Sequence, residues 1–322
     1  MLVVLILAPV LPRASNYKEI VENFSWSFIP AKYNIAHSVC DRHAKLTPNK
    51  PAILFVRDEL KEPEPLTFGQ LQFKSNALAH GLENVSDLQV GDRIGILLPQ
   101  RPETAIAHVA AYRSGAIAIP LFGLFGPDAL SYRLSTKKKK IVITDKTGME
   151  KIMQIKENLP LLHSVVVVEA CNDALPDYCH SFEKILENSR PKHVKLVDTN
   201  ADDPALIIFT SGTTGNPKGA LHAHRVLLGH LPGIEYPHNL FPHGVHEGKH
   251  ITFYTPADWA WIGGLIDILL PALHYGVPVL AHRASKFDPY RVAELMKRHN
   301  VTNTFMPPTA LKLMRKVCDT SK

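Results

Sequence analysis

The chain has 322 residues, 45% of them hydrophobic and 20% charged, and carries a net charge of +6. This is an ordinary globular composition with room for a large core and two subdomains. The charge excess is mild and, apart from Lys137 to Lys140, dispersed, which suits anionic small ligands and excludes a nucleic-acid-binding surface.

The chain opens on "MLVVLILAPVLPRAS". This apolar run is too short to span a bilayer, has no basic residue before it and has no A-x-A site after it. It reads as a misplaced start or an unstructured extension over residues 1–34, with no stable membrane insertion and the cytoplasm as the expected location. The four cysteines, Cys40, Cys171, Cys179 and Cys318, lack C-x-x-C or any other metal spacing, so they fit a reducing compartment and no metal site.

From about Ile35 to Asp145, strand-like and helical segments alternate. "PAILFV", "RIGILLP", "AIAIPLF" and "KIVITD" predict buried strands. "TFGQLQFKSNALAHGLE" predicts a helix capped by Thr67, with Leu71, Leu78 and Leu82 on one face. "PETAIAHVAAYRSG" predicts a second, with Pro102 in its first turn and Gly115 at its stop. "LHSVVVVEA" adds a strand, and the polar residues 191–203 predict a linker. Beyond it come "ALIIF", "ITFYTP", "GVPVLA" and "VTNTFMPP" with helical segments between them. The pattern predicts an α/β fold of helix-covered, mostly parallel sheets. Its subdomains are expected over 35–190 and 204–322. The lysine run before "IVITD" reads as a solvated helix end.

"FTSGTTGNPKGALHAH", Phe209 to His224, packs glycines, hydroxyls and one lysine just after an apolar strand. Glycines let a backbone close on a ligand, the hydroxyls of Thr210, Ser211, Thr213 and Thr214 donate to phosphate oxygens, and Lys218 adds a mobile positive charge. A helix starting at "GALHAHRVLLGHL" would add the positive end of its dipole. An oligophosphate ligand follows. The Walker A pattern fails because Lys218 lies between Pro217 and Gly219. The dinucleotide fingerprint fails because glycines 212, 215 and 219 have the wrong spacing.

"TSGTTGNPKG" resembles, position by position, the phosphate loop of the acyl-adenylate-forming enzymes. The resemblance extends to "TPADWAWIGGLIDILLPALHYGVPVLAHR", to "NTFMPPTALKLMRK" and, upstream, to "LPQRPETAIAHVAAYRSGAIAIPLFGLFGPDALSYRL", covering roughly Ile35 to Cys318. It is nearest the acetate and medium-chain branches of the AMP-forming acyl-CoA synthetases. The resemblance implies ATP, Mg²⁺ and coenzyme A as cofactors and a fatty or other carboxylic acid as substrate. The acid would be activated to an acyl-adenylate and passed to the thiol of coenzyme A, releasing AMP and pyrophosphate. It implies ATP phosphate binding by Thr210, Ser211, Gly212, Thr213, Thr214, Gly215 and Lys218, with Lys218 and Thr213 as the catalytic pair. It also implies an acyl pocket at Trp261, Ile262 and Gly263, and a coenzyme A path past Gly123 and Leu124. Trp259 reads as a core aromatic and Arg133 as structural, with Lys146 or Lys151 as substitutes for basic coenzyme A contacts. Seven of the 17 histidines fall between His222 and His250, and "HNLFPHGVHEGKH" reads as an exposed loop with no metal expected.

The family's Tyr-Gly-x-Thr-Glu motif, its ribose aspartate and its mobile carboxy-terminal domain with the adenylation lysine are not found before Lys322. "HYGVPV" lacks the Thr-Glu. The chain is therefore expected to be an inactive fragment or half of a split ligase, poorly soluble alone. A non-catalytic nucleotide-binding subunit and an adenylation domain serving a carrier-protein pantetheine are the competing readings.

Overall fold

The computed structural model describes residues 9–57, 61–135, 138, 140–171, 174–189, 193–210, 216–242, 250–282 and 286–317. The apolar runs become strands: β1 (Pro51–Val56), β2 (Glu64–Thr67), β3 (Arg93–Leu97), β4 (Ile117–Pro120), β5 (Lys140–Thr144), β6 (Leu162–Val167), β7 (Cys179–Ser181), β8 (Pro204–Thr210), β9 (Lys218–Ala223), β10 (Phe253–Tyr254), β11 (Val279–His282) and β12 (Asn303–Thr304). Among the described residues they form a seven-stranded sheet, β7-β6-β5-β3-β4-β8-β9, and a five-stranded sheet, β12-β10-β11-β1-β2. Both are parallel except at one edge, where β9 runs antiparallel to β8 and β2 antiparallel to β1. The mostly parallel, helix-covered α/β architecture is as expected.

Each strand divides its side chains between two cores because successive residues face opposite sides of a sheet. Ile94, Ile96, Ile141, Ile143 and Val166 of the larger sheet face the same core as Ile53, Phe55, Phe253 and Val279 of the smaller one. The alternate residues Leu97, Val142, Val165 and Val167 pack under the larger sheet's other face, and Val56, Tyr254 and Leu280 under the smaller sheet's. Strands buried on both faces read as continuous apolar runs, which is why they were visible in the sequence.

The shared core holds the two predicted helices. Phe68–Ser86 starts with a full capping box between Thr67 and Gln70. Pro102–Arg113 starts on Pro102 and is buried from Thr104 to Arg113, and Gly115 follows it with φ of 66°. Arg113, wholly buried, donates to Asp41 Oδ1 at 2.8 Å and to the Lys195 carbonyl at 3.0 Å.

Four expectations need correction. The sheets do not divide at residues 191–203: β1 and β2 join the later sheet and β8 and β9 the earlier one. Residues 193–203 are a tie and not a free linker, since Thr199 pairs with Tyr33, Ala201 with Ala31, and Lys195 with Asn76. The extension is structured from residue 9. Val10 and Leu11 give their N–H groups to the buried Glu235 carboxylate, and Tyr17–Asn23 is a helix capped by Asn16. Lys140 is not at a solvated helix end; it is buried in β5, its ammonium donating to the Leu134 carbonyl, and burial lowers its pKa to about 8.

Candidate active site

Parallel strands carry their chain direction to one end of a sheet, and ligands bind in the crevice outside that end. In this chain both sheets turn that end toward one cleft of about 780 Å³. Leu97 ends β3 and Pro99 follows it, Phe122 to Leu124 follow β4, and Asp145, Thr147 and Gly148 follow β5. From the other sheet, Pro256 to Asp258 follow β10, Lys286 and Phe287 follow β11, and Phe305 and Pro307 follow β12.

The glycine-rich stretch lies between two paired strands. β8 and β9 pair antiparallel with Thr210 opposite Lys218, both exposed, in a ladder running back to Pro204. The expected helix at "GALHAH" is therefore a strand. The helix Val226–Glu235 begins only after a turn in which His224 is buried. Pairing with β8 holds residues 218–223 extended, and among the described residues the next helix starts only at Val226. Ser211, Gly212, Thr213, Thr214 and Gly215 lie outside the described residues. The stem nevertheless adjoins the cleft wall, because Phe209 shares a small hollow with Phe122, Phe125 and Trp261.

Of the three acyl-pocket candidates, Trp261 and Gly263 line the cleft and Ile262, 40% exposed, does not. The Trp261 ring leans on Phe122 with centroids 5.5 Å apart. Gly263 leaves room for the Phe305 ring: a Cβ there would lie 2.7 Å from its Cε1. Trp259 has no exposure and belongs to the core, as expected.

Gly123 and Leu124 form the opposite lip, where Leu124 is 81% exposed. Lys151 holds this lip by donating to the carbonyls of Gly123 at 2.6 Å and Phe125 at 3.3 Å. Arg133 is structural: its guanidinium lies 4.0 Å over the Phe125 ring and bonds the Ala129 carbonyl.

Three cleft residues escaped the sequence reading. Asp258 accepts the Ala260 N–H at 2.8 Å, and burial pushes its carboxyl up to about 6. Lys286 lies just past the end of β11, and Phe305 closes the floor. "TPAD" and "NTFMPP" gave no periodicity that would mark these residues. Among the described residues no cluster of three or more histidine, cysteine, aspartate or glutamate side chains is placed to hold a metal ion. No described helix is long and apolar enough to cross a membrane.

The AMP-binding enzyme family matches residues 40–322. The chain belongs to that family. Acetyl-coenzyme A synthetase 2 of Debaryomyces hansenii is 31% identical over 90% of this chain and 44% of its own length. The acetyl-coenzyme A synthetase of Shewanella oneidensis is 28% identical over 91% and 46%. Among solved structures, a Brucella canis acyl-CoA synthetase superposes with a TM-score of 0.81 at 25% identity, covering 94% of this chain and 54% of that one. An anthranilate CoA ligase in complex with anthranoyl-AMP shares the fold, with a TM-score of 0.77 at 20% identity over 92% of this chain and 54% of its own. The chain thus spans less than half the length of these curated relatives.

Proposed function

We propose that this chain carries the acid-activating part of an AMP-forming acid–CoA ligase, with ATP, Mg²⁺ and coenzyme A as co-reactants and a carboxylic acid as substrate. The observation that carries the reading is one cleft collecting Trp261 and Gly263 on one side and Gly123 on the other, beside the stem of the phosphate loop. A carboxylate oxygen attacks the α-phosphorus of ATP, and the bond to the bridging oxygen breaks as pyrophosphate leaves with its electron pair. The chain's part in that step is to position the reactants and offset the charge growing on the leaving group. Thr210 and Lys218, fixed opposite one another on the hairpin, carry the hydroxyl and ammonium assigned to it. Ser211, Gly212, Thr213, Thr214 and Gly215 complete the loop.

In the second step the coenzyme A thiol attacks the acyl carbonyl, AMP departs, and the thiol proton goes to solvent. Gly123 and Leu124 are assigned to the approach of the thiol arm. Mg²⁺ commonly binds through substrate phosphates with only one or two carboxylates, and among the described residues no cluster of three or more acidic, histidine or cysteine side chains is placed to hold it. When bound, the ion neutralises phosphate charge.

The test is carboxylate-dependent ATP–pyrophosphate exchange on the purified chain with acetate, butyrate, octanoate and benzoate. Exchange that falls by about 10²–10³ in Lys218→Ala supports the reading, that being the usual cost of one transition-state charge contact. No exchange, together with no binding of ATP to a folded preparation, overturns it.

A further inference from the structure

Gln100 bridges the two walls of the cleft. It sits in the turn between β3 and the helix Pro102–Arg113, is only 5% exposed, and does not itself line the cleft. Its Nε2 donates to the Thr255 carbonyl at 3.0 Å and to the Ala257 carbonyl at 2.6 Å, 155 and 157 residues further along the chain. Pro99 on one side of this bridge and Ala257 on the other both line the cleft. The orientation of the amide follows from its partners. Both are carbonyl oxygens, so only the NH₂ group can face them, and each of its two hydrogens serves one. Gln100 Oε1 is buried and has no hydrogen-bond partner among the described residues. A buried acceptor left unpaired is unfavourable, so this side chain is held for its donors and not for its acceptor.

What those donors hold is a stiff unit. Within residues 255–261, Thr255 Oγ1 accepts the Ala257 N–H at 3.0 Å, Asp258 Oδ1 accepts the Ala260 N–H at 2.8 Å, and the Asp258 carbonyl accepts the Trp261 N–H at 3.0 Å. Gly264 lets the following turn press against it, since a Cβ there would lie 2.9 Å from the Ala257 carbonyl oxygen. The Thr255 hydroxyl donates to the Phe305 carbonyl at 2.8 Å, so the segments after β3, β10 and β12 are linked in series. Bonds inside a turn fix its shape and not its place. Among the described residues no other hydrogen bond ties residues 255–261 to the larger sheet.

We infer that Gln100 is a positioning residue of this site: its amide sets residues 255–261 against the β3 wall and so fixes where Asp258 and Trp261 stand in the cleft. The contact of the Trp261 ring with Phe122, which follows β4 of the larger sheet, depends on that placement. The sheets are tied at a second point, where Glu169 after β6 pairs with Arg101 at 3.0 Å and with Arg57 after β1 at 2.9 Å. Trp259, with no exposure, anchors the turn in the core. Loss of the Gln100 donors therefore loosens the turn without parting the sheets.

The inference rests on the acid-activating reading only where a ligand probes the cleft, and the test separates the two. The probe is whichever of the acetyl, butyryl, octanoyl and benzoyl sulfamoyladenosines, unreactive mimics of acyl-adenylates, binds the unaltered chain most tightly by calorimetry. Gln100→Met keeps the length of the side chain and removes both donors. Gln100→Glu, the second variant, keeps the shape and puts an oxygen in place of the amide nitrogen. Arg57→Gln cuts the other tie between the sheets and serves as the control, and thermal melts verify that each variant is folded. In both Gln100 variants amide exchange over residues 255–261 is expected to rise about tenfold. The 5-fluorotryptophan resonance of Trp261, assigned by its loss in Trp261→Phe, is expected to shift, and the probe to bind about tenfold more weakly. Arg57→Gln should leave the resonance in place and exchange and affinity within about twofold. Exchange and resonance unchanged in both Gln100 variants, or unchanged probe affinity beside altered exchange, overturns the positioning role, as does an equal loss in Arg57→Gln. If the unaltered chain binds none of the probes, the ligase reading fails, while exchange and the fluorine resonance still decide whether Gln100 places the turn.

Discussion

The backbone N–H of Leu11 donates to Glu235 Oε2 at 2.8 Å across 224 residues of sequence, and the N–H of Val10 donates to Oε1 at 2.7 Å. The Tyr275 hydroxyl donates to the same carboxylate, which has no solvent exposure. A buried carboxylate is tolerable only when its oxygens are hydrogen-bonded, so the apolar N-terminal segment solvates the end of the helix Val226–Glu235. Glu235→Ala leaves those donors unpaired and should cost about 3 kcal/mol of unfolding free energy. Removing residues 1–11 should cost a similar amount by taking two backbone donors from the buried charge. Urea denaturation followed by circular dichroism checks both, and a loss below about 0.5 kcal/mol in each would mean that the strap is incidental.

Acid should destabilise the chain through histidines that it buries neutral. Burial lowers His108 to about 3 and His224 to about 4. Each holds fewer protons folded than unfolded, so stability is complete above about 6.5. It falls as pH drops below that value and levels off beneath the folded pKa values. Asp258 has the opposite sign. Its carboxyl, pushed up to about 6 by burial, contributes stability that is present below its ordinary value of 3.8 and lost as pH rises through about 6. Asp258→Asn keeps the shape and the acceptor for the Ala260 N–H, so it should become relatively more stabilising from pH 4.5 to pH 7.5, by about 1 to 2 kcal/mol. Urea midpoints at three pH values decide this, and a difference that is flat with pH contradicts the assignment.

Helix contact explains why residue 81 carries no side chain. A Cβ at Gly81 would lie 2.3 Å from Ile185 Cγ2 and 2.8 Å from Ser189 Oγ, where Phe68–Ser86 meets the helix Phe182–Asn188. Alanine is the better helix former by about 1 kcal/mol, yet overpacking of this kind costs about 1 to 3 kcal/mol. Gly81→Ala should therefore lower the melting temperature. A rise would show that the second helix moves aside without penalty.

The strands were legible because both faces of each are buried, so "PAILFV" and "RIGILLP" needed no partner to be recognised. Their partners were not legible. Ile53 sits opposite Val279, and period two says that a residue is in a strand, never which strand lies beside it. "GALHAH" escaped for a related reason. It is an edge strand, rich in small residues and histidine, and only its pairing with β8 makes it extended. The candidate site was half legible. Trp261, Gly263 and Gly123 came from resemblance and meet in one cleft. Phe305 and Asp258 lie at strand ends, where backbone direction and not side-chain pattern decides what they face.

Lys151 offers a test that bears on the coenzyme A assignment. Its ammonium spans the carbonyls of Gly123 and Phe125 from the helix Lys146–Met153, across an exposed lip whose Leu124 side chain projects into solvent. A charge-assisted bond to a loop carbonyl adds to local order more than to global stability. Lys151→Ala should therefore raise amide hydrogen exchange over residues 122–126 by about tenfold without ligand, with little change elsewhere. Lys151→Arg, which can reach the same carbonyls, should restore most of the protection. If instead Lys151 only serves to meet phosphate, exchange in the free protein stays unchanged in Lys151→Ala. Weakened coenzyme A binding that follows loop protection across the two variants would mark Lys151 as positioning the lip at Gly123, and weakened binding without loss of protection would mark it as touching the ligand.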